Sequence, residues 1–78
     1  MPESFSQTVA ATVRAEMARR NVTQRQVAEA LGIAQTQVSR RLLGRISFNV
    51  DELQTVATLL NLPVAALIAG PAPLEHAS

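Results

Sequence analysis

Val27-Ala28-Glu29-Ala30-Leu31-Gly32-Ile33-Ala34-Gln35-Thr36-Gln37-Val38 is the stretch on which the fold turns. Ala28, Gly32 and Val38 stand four and then six residues apart, a spacing that suits two short helices packed across a tight turn. Ala28 has no bulk to hold the helices apart, and Gly32 is free to take the left-handed conformation that ends the first of them. Val38 then plugs the second helix back onto its predecessor. A helix set at a fixed angle on a surface, with polar side chains outward, is how proteins read the DNA major groove.

On either side of this stretch the pattern predicts three more helices and no strand, an all-α unit of five helices. The first starts at Ser4, whose spacing to Gln7 fits a capping box, and ends at Asn21. Val9, Val13 and Met17 form its buried stripe, with Arg14, Arg19 and Arg20 off it. Thr23 caps the second helix with Gln26 as its partner, Val22 staples onto Val27, and Gly32 is the stop. The third helix runs from about Gln35 to Gly44, with Ala34, Val38 and Leu42 inward. Ala34 stands where a hydroxyl or carboxamide cap would usually add ~0.5–2 kcal/mol. Asn49 and Glu52 open a fourth helix over about 50–60, stapled by Phe48 and Leu53. Its inward residues are Val50, Leu53, Val56, Ala57 and Leu60, and its first-turn acids Asp51 and Glu52 suit the helix dipole. Pro63 at a first helical position opens a short fifth helix through Ala69, closed by Gly70. Residues 1–70 are thus expected to form the domain, and 71–78, with Pro71 and Pro73, a flexible or extended tail.

Composition removes several chemistries. The 78 residues contain no cysteine, and the single histidine is His76, so disulfide frameworks, zinc fingers and cysteine catalysis are excluded. There is no nucleophile–base pair, metal-ligand cluster or glycine-rich phosphate loop, so neither an enzyme nor a cofactor is expected. No apolar run approaches the ~18 residues of a membrane span, and the start lacks the pattern of a signal peptide. The expected place of action is the cytoplasm of a bacterium or of a phage-infected host.

A net charge of +1 conceals a strong polarity. All seven cations are arginine and lie between residues 14 and 45, opposed there only by Glu16 and Glu29, which leaves seven less two, or +5. Residues 46–78 carry Asp51, Glu52 and Glu75, or −3. This asymmetry points to an anionic partner for one half of the molecule, against the plainer reading of an ordinary solvated surface.

With Val38 pointing into the core, an advance of about 100° per residue puts Thr36 and Arg40 on the opposite, outward face. Gln37 and Ser39 flank them on either side, and Gln35 lies at the exposed N-terminal end. This set is free of acids and suits base-edge readout. Glutamine pairs with adenine, arginine with guanine, and threonine offers a hydroxyl or a methyl. Gln24, first in the second helix, stands where free backbone N–H groups and the dipole attract phosphate. Arg45 follows Gly44 in the loop, within reach of a phosphate backbone. The plainer reading of each is a solvated polar residue.

Residues 22–45 resemble the helix-turn-helix of the phage repressor and Cro family, also called Xre. The Thr23-Gln24 start and the Ala28-Gly32-Val38 frame carry the match, with the later Asp51-Glu52-Leu53 and Asn61-Leu62-Pro63-Val64 segments. The similarity spans about residues 9–70 and implies a lambda-repressor-like five-helix fold. It places Gln24 and Arg45 on phosphates and Gln35, Thr36 and Arg40 on bases, with Gln37 and Ser39 close by. Two positions depart from the pattern. Ala34 replaces the usual hydroxyl cap, and Arg41 stands where the family often has a large apolar residue. Either the Arg41 stem packs while its head snorkels, or Leu42 takes over the core contact. If Arg41 turns outward, it becomes another phosphate ligand.

The function this implies is a DNA-binding transcriptional regulator, Cro-like or a short immunity repressor, that binds a palindromic operator as a homodimer. Two copies related by a twofold axis would set their reading helices about 34 Å apart. Leu62, Val64, Leu67, Ile68 and Leu74 supply apolar material for that contact, with Leu67, Ile68 and Leu74 as the expected interface. Alternatively they complete the monomer core. Without a second domain in these residues, control is expected from protein concentration, competition at shared operators or a protein partner. The competing readings are the antitoxin of a toxin–antitoxin pair and a protein-interaction module that has lost DNA. Arg40 and the acid-free face argue against that loss.

Overall fold

The computed structural model describes residues 4–69. Five helices follow one another: α1 (Phe5–Arg20), α2 (Gln24–Leu31), α3 (Gln35–Leu42), α4 (Val50–Leu60) and α5 (Val64–Ile68). Among the described residues there is no strand, and no helix is long and apolar enough to cross a membrane.

Three helices begin as their local sequence predicts. Ser4, Thr23 and Asn49 each accept the N–H of the third helical residue, and Gln7, Gln26 and Glu52 reach back to the cap N–H. Each box satisfies two backbone donors that a helix start would otherwise leave open. α3 has no such box, since Ala34 offers no side-chain acceptor.

The first four helices end alike. Asn21, Gly32, Gly44 and Asn61 adopt left-handed backbone, with φ of 56°, 69°, 77° and 60°. The next N–H then donates to the carbonyl five residues back. Val22 bonds Met17 at 2.9 Å, Ile33 bonds Ala28 at 3.2 Å, Arg45 bonds Arg40 at 3.0 Å and Leu62 bonds Ala57 at 2.9 Å. An apolar residue at this position usually folds back on the helix it closes. Val22, Ile33 and Leu62 do so and rest against the core. After α3 the position belongs to Arg45, which is exposed.

The core gathers Val9, Val13 and Met17 from α1, Val27 and Ala28 from α2, Val38 and Leu42 from α3, Leu53, Val56, Ala57 and Leu60 from α4, and Leu67 from α5. α2 rests on α3 and α4, while α1 touches α3, α4 and α5. Each fully buried aliphatic side chain contributes about 1.5–3 kcal/mol, which is how a chain this short holds a fixed arrangement without crosslinks.

Five expectations need correction. α3 is helical only to Leu42; Leu43 is its C-cap, and Gly44 supplies the left-handed residue beyond it. Ala34 is exposed rather than inward, because as N-cap its extended backbone turns it out of the helical stripe. Val50 is 80% exposed. It is the first residue of α4, about 70° from the centre of the buried stripe, where no neighbour reaches it. Pro63 is the N-cap of α5 rather than its first residue, with ψ of 145°. Leu67, expected at a dimer interface, is fully buried, because α5 lies against α1 and α4. The Gly70 stop, Leu74 and the 71–78 tail lie outside the described residues.

Candidate nucleic-acid interface

α3 is anchored from within and by side chains of α1 and α4. Val38 is completely buried and Leu42 nearly so, which fixes the rotation of α3 about its axis. At its C-terminal end the Arg14 guanidinium of α1 donates to the Leu42 carbonyl, one of the acceptors that a helix end leaves open. The segment beyond is braced as well. Gly44 lies so close to α1 that a Cβ there would stand 2.8 Å from Gln7 Cγ and 3.3 Å from Gln7 Cα. The Ser6 and Ser47 hydroxyls share a hydrogen bond beside it.

The third anchor comes from α4. Arg41 Nε donates to Glu52 Oε1 at 3.0 Å and Nη2 donates to Oε2 at 3.2 Å, a bidentate fork with both side chains 14% exposed. Nη1 turns back to α3, donating to the Gln37 carbonyl at 3.1 Å and to Gln37 Oε1 at 3.4 Å. Burial alone would raise the Glu52 pKa. The Arg41 hydrogen bonds, the Asn49 backbone N–H and the Arg41 charge outweigh burial and hold the carboxyl below its ordinary value. Leu42 takes the core contact, as one of the two alternatives had it, but Arg41 does not turn outward. It is half-buried, and its guanidinium is occupied by Glu52 and Gln37, so it is no free phosphate ligand.

The anchoring leaves a defined outer face. Gln35, Thr36 and Arg40 are exposed, Gln37 and Ser39 half-buried, and Gln24 and Arg45 are exposed as well. The arginines sort themselves by partner. Arg19 and Arg20 pair with Glu16, Arg25 with Glu29 at 3.8 Å, and Arg41 with Glu52. Arg14 is committed to the Leu42 carbonyl. Among the described residues, Arg40 and Arg45 are the two arginines with neither a carboxylate nor a carbonyl partner, and they belong to the last turn of α3 and the loop after it. The +5 segment thus presents its unneutralised charge beside the polar side chains of α3, which suits a polyanion.

Sequence reasoning missed Arg14 and Glu52, which support this face without belonging to it. Their partners are 28 and 11 residues away, with turns between, so no periodicity announces them. The one available clue was an arginine at an apolar position, which requires an acid or carbonyl close by.

Comparison with known proteins agrees with this geometry. A model of the helix-turn-helix family matches residues 13–67. A crystal structure of the clp gene regulator ClgR from Corynebacterium glutamicum is similar with a TM-score of 0.80 and 25% identity, over 87% of this chain and 88% of the other. A second ClgR structure gives 0.81 and 25% identity, over 86% and 71%. No curated protein matches the sequence. The buried Ala28 and Val38, the left-handed Gly32 between them and a family match over more than two thirds of the sequence have one meaning: the chain belongs to the helix-turn-helix family of DNA-binding transcriptional regulators, in its phage repressor/Cro (Xre) type.

Proposed function

We propose that the protein is a Cro-like or short immunity repressor that binds a palindromic operator as a homodimer and acts by occupying DNA, without catalysis. In this reading Gln35, Thr36 and Arg40 meet base edges in the major groove, with Gln37 and Ser39 at the margins. Gln24 and Arg45 hold phosphates on either side. The observation that carries it is the bare, acid-free face of α3, with Arg40 and Arg45 unpaired among the described residues. The likeness to a regulator of clp genes supports a role in gene control.

Dimerisation follows from specificity, since one reading helix covers a single half-site. Ile68, at 40% exposure, is the described residue of the expected interface that remains available. Selection of bound sequences from random duplex DNA tests the proposal. The expected product is a palindrome whose half-sites lie about one helical turn apart, bound with a Hill slope above one. Enrichment of a single unrepeated site would refute the homodimer, and no enrichment at all would refute sequence-specific regulation.

A further inference from the structure

The Arg41 fork does more than tie α3 to α4. Arginine carries only donors, so the Gln37 amide facing it turns its oxygen toward Nη1, as the 3.4 Å approach shows. The flipped amide would set N–H against N–H beside a cation. Glu52 in turn fixes Arg41, because both carboxylate oxygens are engaged by Nε and Nη2. Glu52 is itself immobilised as the third residue of the α4 capping box, accepting the Asn49 N–H at 3.0 Å. A chain of charge-assisted bonds thus runs from the start of α4 to one side chain at the margin of the reading face. What it leaves free is the Gln37 NH2, which has no acceptor among the described residues.

We infer that Gln37 is a specificity-determining residue whose amide is oriented by Arg41 and Glu52, so that it meets a base edge through its NH2, as a hydrogen-bond donor. The inference rests on the DNA-reading role proposed above and adds a direction to it. An unconstrained glutamine pairs bidentately with adenine, accepting from N6 and donating to N7. With its oxygen turned toward Arg41 and one lone pair given to Nη1, Gln37 presents its free NH2, the donating half of that pair. Guanine, which offers N7 and O6 as two acceptors, then becomes its better partner. Arg41 and Glu52 are positioning residues here, since neither touches the base.

The decisive comparison uses three versions of the full chain in the random-duplex selection: the parent, Gln37→Ala, and the double variant Arg41→Met/Glu52→Gln. The double variant removes both charges together, and the glutamine introduced on α4 keeps the capping box closed, as Gln7 and Gln26 do in α1 and α2. A cooperative thermal transition confirms that it folds. At one position of each half-site the parent should favour guanine, and Gln37→Ala should lose that preference. In the double variant adenine should gain about tenfold on guanine at the same position, the scale of one bidentate pair. A double variant that keeps the guanine preference, or a Gln37→Ala profile unchanged at every position, would overturn the inference while leaving the regulator in place. A parent that selects no sequence would overturn the regulator itself, and the inference with it.

Discussion

Arg40 and Arg45 are five positions apart, both exposed and both without a partner among the described residues, yet they have different tasks. Arg40 shares the outward face of α3 with Thr36, whereas Arg45 leaves the helix on the loop. Arg40→Ala should cost about 1–3 kcal/mol at a single base pair and relax the preference there. Arg45→Ala should weaken every sequence alike and reduce the slope of log affinity against log salt by about one unit. Competition binding at several salt concentrations separates the two, and equal slope changes in both variants would make Arg40 a phosphate ligand. The exposure of these residues was legible, because Val38 sets the rotation of α3 and the rest follows from 100° steps. The fate of Arg41 was not, since it depends on an acid of α4 that only the tertiary fold brings near.

At the scale of elements, the capping boxes and the left-handed stop at Gly32 could be read directly, being local patterns within a few residues. Ala34 and Val50 were misplaced because periodicity describes a helix and not where its neighbours stop. Leu67 was misassigned for the converse reason: five helical residues are too few to show which side is covered. The two left-handed glycines illustrate how much the surroundings decide. Gly32→Ala meets no atom within 4 Å and should cost about 1–2 kcal/mol, from the left-handed backbone alone. Gly44→Ala adds a collision with Gln7 and should cost roughly 2–4 kcal/mol. It should also loosen the end of the reading helix. Urea unfolding of the two variants measures the difference, and equal losses would show that the α1 contact has no energetic weight.

For the molecule as a whole, the Arg41–Glu52 pair links stability to pH. Glu52 has a lower pKa folded than unfolded, so its contribution is complete above its ordinary value near 4.5 and disappears as pH falls through the depressed one. Denaturation midpoints compared at pH 7 and pH 3 should therefore drop further for the parent than for Glu52→Gln. A parallel drop would mean that other carboxylates govern the acid limb. Glu16, Glu29 and Glu52 pair with Arg19, Arg20, Arg25 and Arg41, and Arg40 and Arg45 are left without an acid among the described residues.

The hook that closes α3 shows what that arrangement sacrifices. Its three sister hooks hide a greasy residue beneath the bend, whereas this one holds a cation out into water. Laboratory evolution for heat resistance alone should therefore drift codon 45 toward leucine. Descendants carrying that change should melt a few degrees later, on the scale of ~0.5–1 kcal/mol, while their grip on nucleic acid declines. Survivors of such a regime that kept both properties would reveal that the outward cation was never in conflict with a sturdier fold.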